Sequence, residues 1–134
     1  MKISGPILDR IDLHVEVPAL SYQALTGKTS SENSAAIRER ILECRKIQAQ
    51  RYRDKPFNTN ALMQPRDIKH VATPSAEGRR LMEAAMKDLH LSARAYYKIL
   101  KIARTLADLD KKNAIEVEHI AEAIQYRSLD RQWG

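Results

Sequence analysis

Hydrophobic and polar residues alternate in the segment from Arg10 to Val17. A period of two is typical of a β-strand with one buried face, here the face with Ile11, Leu13, Val15 and Val17. Pro18 cannot donate a ladder hydrogen bond and predicts the end of the strand. No second convincing strand follows, so the backbone groups of this one need partners elsewhere. We therefore expect its sheet to lie upstream of residue 1, which predicts that the chain is a fragment of a longer protein.

A helical period replaces this alternation after a polar loop at residues 21–32. Helices are predicted from about Asn33 to Arg53, with Ser31 as a possible N-cap, from Pro65 to His70, from a Ser75 N-cap to near His90, from a Ser92 N-cap through Leu109, and from about Val117 to Arg127. The positions predicted to face the core are Ile37, Ile41, Cys44 and Gln48, then Leu81, Ala84, Ala85 and Leu89, then Ala95, Ile99, Ile102, Leu106 and Leu109, and finally Ile120, Ala121, Ile124 and Tyr126. The predicted fold class is mainly α, a helical bundle preceded by one orphan β-strand arm.

Length and composition limit the chain to one compact domain with an attached arm, since it has 134 residues of which 43% are hydrophobic. No run approaches the ~18 apolar residues that span a bilayer, and residues 1–4 do not form a secretory signal. We therefore expect a cytoplasmic protein with no membrane partner. Cys44 is predicted to be a small buried residue, and the four scattered histidines predict no metal site.

The net charge of +6 and a pI near 9.6 favour polyanionic partners. The candidate nucleic-acid contacts crowd the first long helix and are Arg38, Arg45, Lys46, Arg51 and Arg53. Two interpretations stay open, namely a solvated amphipathic face or a basic ridge that contacts DNA or a neighbouring subunit's nucleotide. Aromatic residues make up only 5%, which argues against a base-stacking platform.

A string near the N-terminus carries the first family resemblance. Ser4-Gly5-Pro6-Ile7-Leu8-Asp9-Arg10-Ile11-Asp12-Leu13 resembles the segment before the last core strand in magnesium-chelatase-type and replicative-helicase-type AAA+ proteins. In those families the arginine of this string is a finger that reaches the next subunit's ATP. A guanidinium there stabilises the γ-phosphate charge during hydrolysis, an effect of ~10³-fold or more. The resemblance makes Arg10 the candidate finger; the alternative is a structural ion pair with Asp9 or Asp12.

A second string, from Leu91 to Leu109, opens with Ser92-Ala93-Arg94-Ala95 and continues into Arg104-Thr105-Leu106-Ala107. It resembles the sensor-2 helix of the same AAA+ branch, in which the arginine near the helix start contacts ATP phosphates. Arg94 takes that position, where the helix N-terminus also favours anions. The alternative is an ordinary surface arginine.

Together with the string from Glu118 to Arg127, these segments are similar to the ComM/YifB family of magnesium chelatase-like AAA+ proteins over nearly the whole chain. The resemblance implies two parts, residues 1–20 as the end of an AAA+ core and residues 21–134 as its helical lid. It also implies that the parent protein binds ATP and Mg²⁺, forms a homohexamer with neighbouring subunits, and acts as a helicase on branched DNA.

The sequence departs from a complete ATPase in two places. Gly27-Lys28-Thr29 matches the end of a phosphate-binding loop, but no glycine stands at the required leading position. No apolar strand ends in paired acids that could position Mg²⁺. We therefore expect no enzymatic activity or bound cofactor in this chain alone. The leading hypothesis is a lid that couples ATP hydrolysis between subunits. The alternatives are a freestanding basic DNA-binding domain and a subunit of a true magnesium chelatase.

Overall fold

Helices account for nearly all regular structure in the computed structural model, which describes residues 5–15 and 32–127. They are α1 (Gly5–Arg10), α2 (Ser34–Arg51), a 3₁₀ turn (Asn60–Leu62), α3 (Pro65–Val71), α4 (Ala76–Asp88), α5 (Ala93–Leu109) and α6 (Val117–Gln125). Over these two ranges the chain forms no strand, and an isolated parallel bridge joins Pro74 to Ile115. The prediction of a mainly α fold is confirmed.

Polar residues at three helix starts explain where those helices begin. The side chains of Asn33, Ser75 and Ser92 each accept a hydrogen bond from the backbone N–H three residues later, at 2.8, 3.2 and 3.1 Å. Such a cap contributes about 1 kcal/mol because it satisfies an otherwise unpaired donor. Ser75 and Ser92 were predicted as caps. At α2 the cap is Asn33, whereas Ser31 lies outside the described residues.

Helix α5 forms the centre of the bundle. It packs against α2, α3, α6 and the 3₁₀ turn, and α4 packs on α6. Ile99, Ala103 and Ala107 on α5 are fully buried, as are Ile120 and Ala123 on α6. Alanines on these faces allow the helix backbones to approach closely. Each buried isoleucine contributes roughly 1.5–3 kcal/mol to the free energy of unfolding.

The buried face of α5 agrees with the predicted one at Ala95 and Ile99 and differs from it further along the helix. Leu109 is 42% exposed, and Ile102 and Leu106 are only partly buried. The face toward the core instead carries Ala95, Ile99, Leu100, Ala103, Arg104, Ala107 and Asp108. Because this face also contains two charged residues that bond to each other, a search for apolar residues alone shifted the predicted face toward Ile102, Leu106 and Leu109. For a related reason the predicted core positions Ala84 and Ala121 are exposed, since alanine carries little information about burial.

Helix α2 is buried over only part of its predicted inner stripe. Cys44 and Gln48 are 6% and 5% exposed, and Gln48 Oε1 accepts the backbone N–H of Asn60 at 2.9 Å. Ile37 and Ile41, on the same side about two turns and one turn before Cys44, are 39% and 48% exposed. The 3₁₀ turn and α5 therefore cover the C-terminal half of the stripe better than its N-terminal half.

The predicted strand from Arg10 to Val17 is wrong over the residues that the structure describes. Arg10 is the last residue of α1, and residues 11–15 form no ladder. The side chains of Leu13 and Val15, predicted to be buried, are 49% and 61% exposed, whereas His14 on the opposite side is 4% exposed. With no second strand among the described residues, this segment bonds to the end of the helical bundle instead. Residues 16–18, and the loop to residue 31, lie outside the described ranges.

No helix in the described parts of the chain combines the length and the apolar character needed to cross a membrane.

Candidate functional site

The N-terminal arm, residues 5–15, is bound to the end of α6 through backbone groups. The N–H of His14 donates to the carbonyl of Tyr126 at 2.5 Å. Nη1 of Arg127 donates to two consecutive carbonyls, that of Ile11 and that of Asp12, the latter at 3.1 Å. Arg127 is only 1% exposed. The polypeptide direction just after Arg10 is therefore fixed relative to the bundle.

An ion pair between Asp12 and Lys98 brings the two predicted phosphate-binding arginines to the same part of the molecule. Arg10 precedes Asp12 by two residues, so its Cα lies within about 7 Å of that of Asp12. Arg94 precedes Lys98 by four residues on α5, about 6 Å along the helix axis and on the same helix face. Two arginines that are 84 residues apart in sequence, 94 minus 10, thus flank one surface ion pair.

Both arginines are exposed, and within residues 5–15 and 32–127 neither side chain forms a hydrogen bond or an ion pair. Arg94 is the second residue of α5, directly after the Ser92 cap and Ala93. A positive charge in the first turn of a helix is unfavourable unless an anion is near, because the helix N-terminus is itself positive. The Arg94 side chain is thus an exposed cation at a helix start that does not stabilise positive charge.

Four of the five candidate nucleic-acid residues are exposed, namely Arg38, Arg45, Lys46 and Arg53. Arg53 Nε lies 4.0 Å from the carboxylate of Asp54, a weak surface contact. Arg38 and Arg45 are seven residues apart and share one face of α2.

The fifth candidate, Arg51, belongs to a buried polar cluster with Asp108, Arg104 and Asn60. Its guanidinium donates to both carboxylate oxygens of Asp108 at 2.7 and 2.6 Å. Asn60 Nδ2 donates to Asp108 at 2.9 Å, and Arg104 Nε does so at 3.2 Å. The hydrogen bonds to Asp108 raise the pKa of Arg51, whereas burial lowers the pKa of Arg104. We call these four residues the Asp108 cluster.

Arg104 uses its remaining donors on backbone carbonyls. Nη1 donates to Asn113 at 2.8 Å and to Val71 at 3.3 Å, and Nη2 donates to Lys112 at 2.7 Å. These bonds join α5 to the end of α3 and to the loop that precedes α6. Arg104 and Arg51 therefore have structural roles in the bundle, and their charges do not face solvent as those of Arg10 and Arg94 do.

The Asp108 cluster was not predicted from the sequence, although one local signal for it is present. Arg104 and Asp108 are four residues apart and face the same side of a helix, a spacing at which opposite charges pair. The partners from α2 and the 3₁₀ turn are 57 and 48 residues away from Asp108, beyond the reach of any periodicity argument.

An apolar groove of about 470 Å³ separates the arm from the outer face of α5. Its apolar lining includes Leu13, Val15, Ile102, Leu106 and Leu109. A second cavity of about 310 Å³, which reaches Ile41 on α2, shares Ala61, Thr105 and Leu109 with the groove. The two cavities are therefore neighbours with a shared wall.

Two side chains of types that can bind a metal, His119 and Cys44, are buried in the bundle. Over the described ranges no three His, Cys, Asp or Glu residues come close enough to hold an ion. His119 Nδ1 accepts the N–H of Glu116 at 2.9 Å, so Nε2 carries the proton and donates to Asp110 at 2.7 Å. Burial raises the pKa of the Cys44 thiol.

Comparison with known proteins gives a consistent result. The family described as magnesium chelatase, subunit ChlI C-terminal, matches residues 31–127. Competence protein ComM of Haemophilus influenzae is 39% identical over 132 residues, which are 97% of this chain and 25% of that protein. The YifB protein of Escherichia coli is 35% identical over the same shares, and a protein of Mycobacterium bovis is 31% identical over 94% of this chain and 25% of its own length. The chain spans about a quarter of the length of these relatives.

Proposed function

This chain belongs to the magnesium chelatase subunit ChlI C-terminal family, and from that premise we propose that it is the lid module of an AAA+ ATPase that couples ATP hydrolysis between subunits. In this proposal residues 1–20 end the ATPase core and residues 21–134 form the lid. The observation that carries it is the pair Arg10 and Arg94, exposed, unpaired within the described residues, and close to the same ion pair.

The chemistry assigned to the two arginines needs permanent positive charge and freedom from other partners. A guanidinium stays protonated at any physiological pH and matches the geometry of phosphate oxygens. Arg94 is proposed to contact the phosphates of ATP held by its own subunit, and Arg10 those of ATP in the neighbour. ATP and its Mg²⁺ are bound by the remaining parts of the ATPase, and these two side chains orient and stabilise the phosphates.

The apolar groove supports a role as one module of a larger protein. Leu13, Val15 and Leu109 are 42 to 61% exposed along it, and exposed apolar surface of this kind marks a protein contact. In the proposed arrangement the rest of the ATPase core, beyond the segment that carries Leu13 and Val15, covers this surface. Nucleotide-driven movement of the lid would then alter how the core and the lid meet.

The test is ATP hydrolysis by the full-length protein that carries this segment, with Arg10→Ala and Arg94→Ala introduced separately. We expect each substitution to lower kcat by about 10²-fold or more, because each removes positive charge that acts on the transferred phosphate. Arg94→Ala is also expected to raise KM for ATP, since that side chain contacts bound nucleotide before the chemical step.

The matched control is Arg80→Ala, an exposed arginine of α4 outside both strings. It should leave kcat and KM unchanged. If Arg10→Ala or Arg94→Ala hydrolyses ATP at the wild-type rate, the role proposed for that residue is wrong.

A DNA-binding role is the second candidate, and the exposed cations of α2 favour it. Replacement of Arg38, Arg45, Lys46 and Arg53 by glutamine would reduce DNA affinity and flatten its salt dependence, because each phosphate contact releases a counterion. The same variant should keep the nucleotide-dependent properties. Unchanged affinity and salt slope would exclude this face as the DNA site.

A further inference from the structure

We propose that Arg127 is a positioning residue that holds the segment after Arg10 against the bundle, so that Arg10 and Arg94 move together. The inference rests on the proposed function for these two arginines. Arg127 ends the family-specific string from Glu118 to Arg127, to which the sequence analysis assigned no role.

Arg127 binds backbone groups of the N-terminal arm, which is far from it in sequence. Its Nη1 donates to the carbonyls of Ile11 and Asp12, 116 and 115 residues away. The adjacent residue, Tyr126, accepts the N–H of His14 through its own carbonyl at 2.5 Å. Bonds to three nearly consecutive residues determine both the position and the direction of the arm at this point.

Burial makes this attachment strong. Arg127 is 1% exposed, and a buried guanidinium must keep its hydrogen bonds because water cannot replace them. By contrast, the ion pair between Lys98 and Asp12 involves an aspartate side chain that is 64% exposed. Arg127 is therefore the main attachment, and the Asp12–Lys98 pair is the weaker, outer one.

The attachment connects Arg10 to the helix that carries Arg94. Arg127 is the second residue after the end of α6, and α6 packs along α5. Arg10 is one residue before the first carbonyl that Arg127 binds. Displacement of α5 by nucleotide at Arg94 would therefore displace Arg10 as well. In this way nucleotide bound at one subunit would change the position of the arginine that acts on ATP in the next subunit.

A first experiment tests the attachment by hydrogen exchange of the segment containing residues 11–15, in the full-length protein. Arg127→Gln should accelerate exchange of the His14 amide about tenfold or more, because opening of the arm no longer breaks charged hydrogen bonds. Arg80→Ala serves as the control and should have no effect there. Unchanged exchange in Arg127→Gln would overturn the proposal.

A second experiment separates positioning from general stability by a double-mutant cycle in ATP hydrolysis. Arg127→Gln should lower kcat by about tenfold to a hundredfold with little change in KM, the cost of a misplaced catalytic group. In an Arg10→Ala background the same substitution should lower kcat less than about twofold, because the group it positions is gone. Equal losses in both backgrounds would overturn the positioning role.

Lys98→Gln provides a second variant in case Arg127→Gln folds poorly. It removes the outer attachment without changing a buried residue, and should show the same pattern with smaller losses. Equal losses with and without Arg10 would again contradict the proposal. If Arg10→Ala itself leaves kcat unchanged, the proposed function fails at Arg10, while hydrogen exchange still decides whether Arg127 holds the arm.

Discussion

Helix α5 carries two arginines, ten positions apart in one family string, in opposite environments. Arg94 is exposed, and its side chain has no hydrogen-bond or ion-pair partner in the described parts of the chain. Arg104 is 4% exposed and bonds to Asp108 and to three backbone carbonyls. The same residue type therefore presents a positive charge to solvent at position 94, whereas at position 104 it joins α5 to neighbouring segments of the bundle.

The difference shows how burial decides what an arginine can do. A buried guanidinium must use its donors within the protein, since unpaired buried charge is strongly unfavourable. An exposed one keeps its donors for a ligand. A match to a family string therefore supports a functional role for an arginine only when its side chain is exposed and its donors are not used by other groups of the protein.

The largest expected effect comes from removing the acceptor at the centre of the buried region. Asp108→Ala leaves the guanidinium groups of Arg51 and Arg104 without their carboxylate, and we expect a loss of about 3 to 5 kcal/mol in the free energy of unfolding. Urea denaturation followed by circular dichroism measures it. The control is Asp88→Ala, an exposed carboxylate at the end of α4. A loss below about 1 kcal/mol for Asp108→Ala would mean that the cluster is not structural.

A smaller effect should distinguish the two arginines of α5 while keeping their charge. Lysine at position 104 cannot reach Asp108 and three separate carbonyls at once, so Arg104→Lys should lower the free energy of unfolding by about 2 kcal/mol. Arg94→Lys should change it by less than about 0.5 kcal/mol. Equal effects at the two positions in urea denaturation would remove the contrast between them.

A third substitution tests a neutral member at the edge of the cluster. The hydroxyl of Tyr52 donates to Asn60 Oδ1 at 2.6 Å inside the core. Tyr52→Phe should lower the free energy of unfolding by about 1 kcal/mol, because it removes one buried hydrogen bond. Tyr126→Phe is the matched control, because its hydroxyl bonds to the exposed Glu122 at 3.0 Å. A thermal unfolding series that ranks Tyr126→Phe as more damaging would contradict this order.

Helix positions were predictable from the sequence because their signals are local. Ser75 and Ser92 cap α4 and α5 as predicted, and Pro65 starts α3, since each residue acts on backbone groups within one turn. Helix faces were less predictable. Ala84 and Ala121 look equally suitable for a core or a surface, and the contacts that decide between these come from distant segments.

The candidate site was predictable only as two separate strings. Arg10 and Arg94 could be selected by family resemblance, but nothing in the sequence predicted that Lys98 and Asp12 bring them together. The alternation of residues 11–15 predicted a strand, because an alternating pattern does not reveal whether a partner strand is present. Here Leu13 and Val15 line an open groove instead.

The smallest stability effect is expected for Arg94→Ala, and its sign is informative. The substitution removes a positive charge from the first turn of α5 and introduces a better helix former, so the free energy of unfolding should stay unchanged or rise by up to about 0.5 kcal/mol. The same variant is expected to lose ATP hydrolysis in the full-length protein, and a residue that is slightly unfavourable for folding yet needed for activity fits a functional position. Thermal unfolding at low and high salt measures the first part, since salt screens the helix-end charge and should reduce any gain. A loss above about 1 kcal/mol would show that Arg94 has a structural partner and that its contrast with Arg104 does not hold.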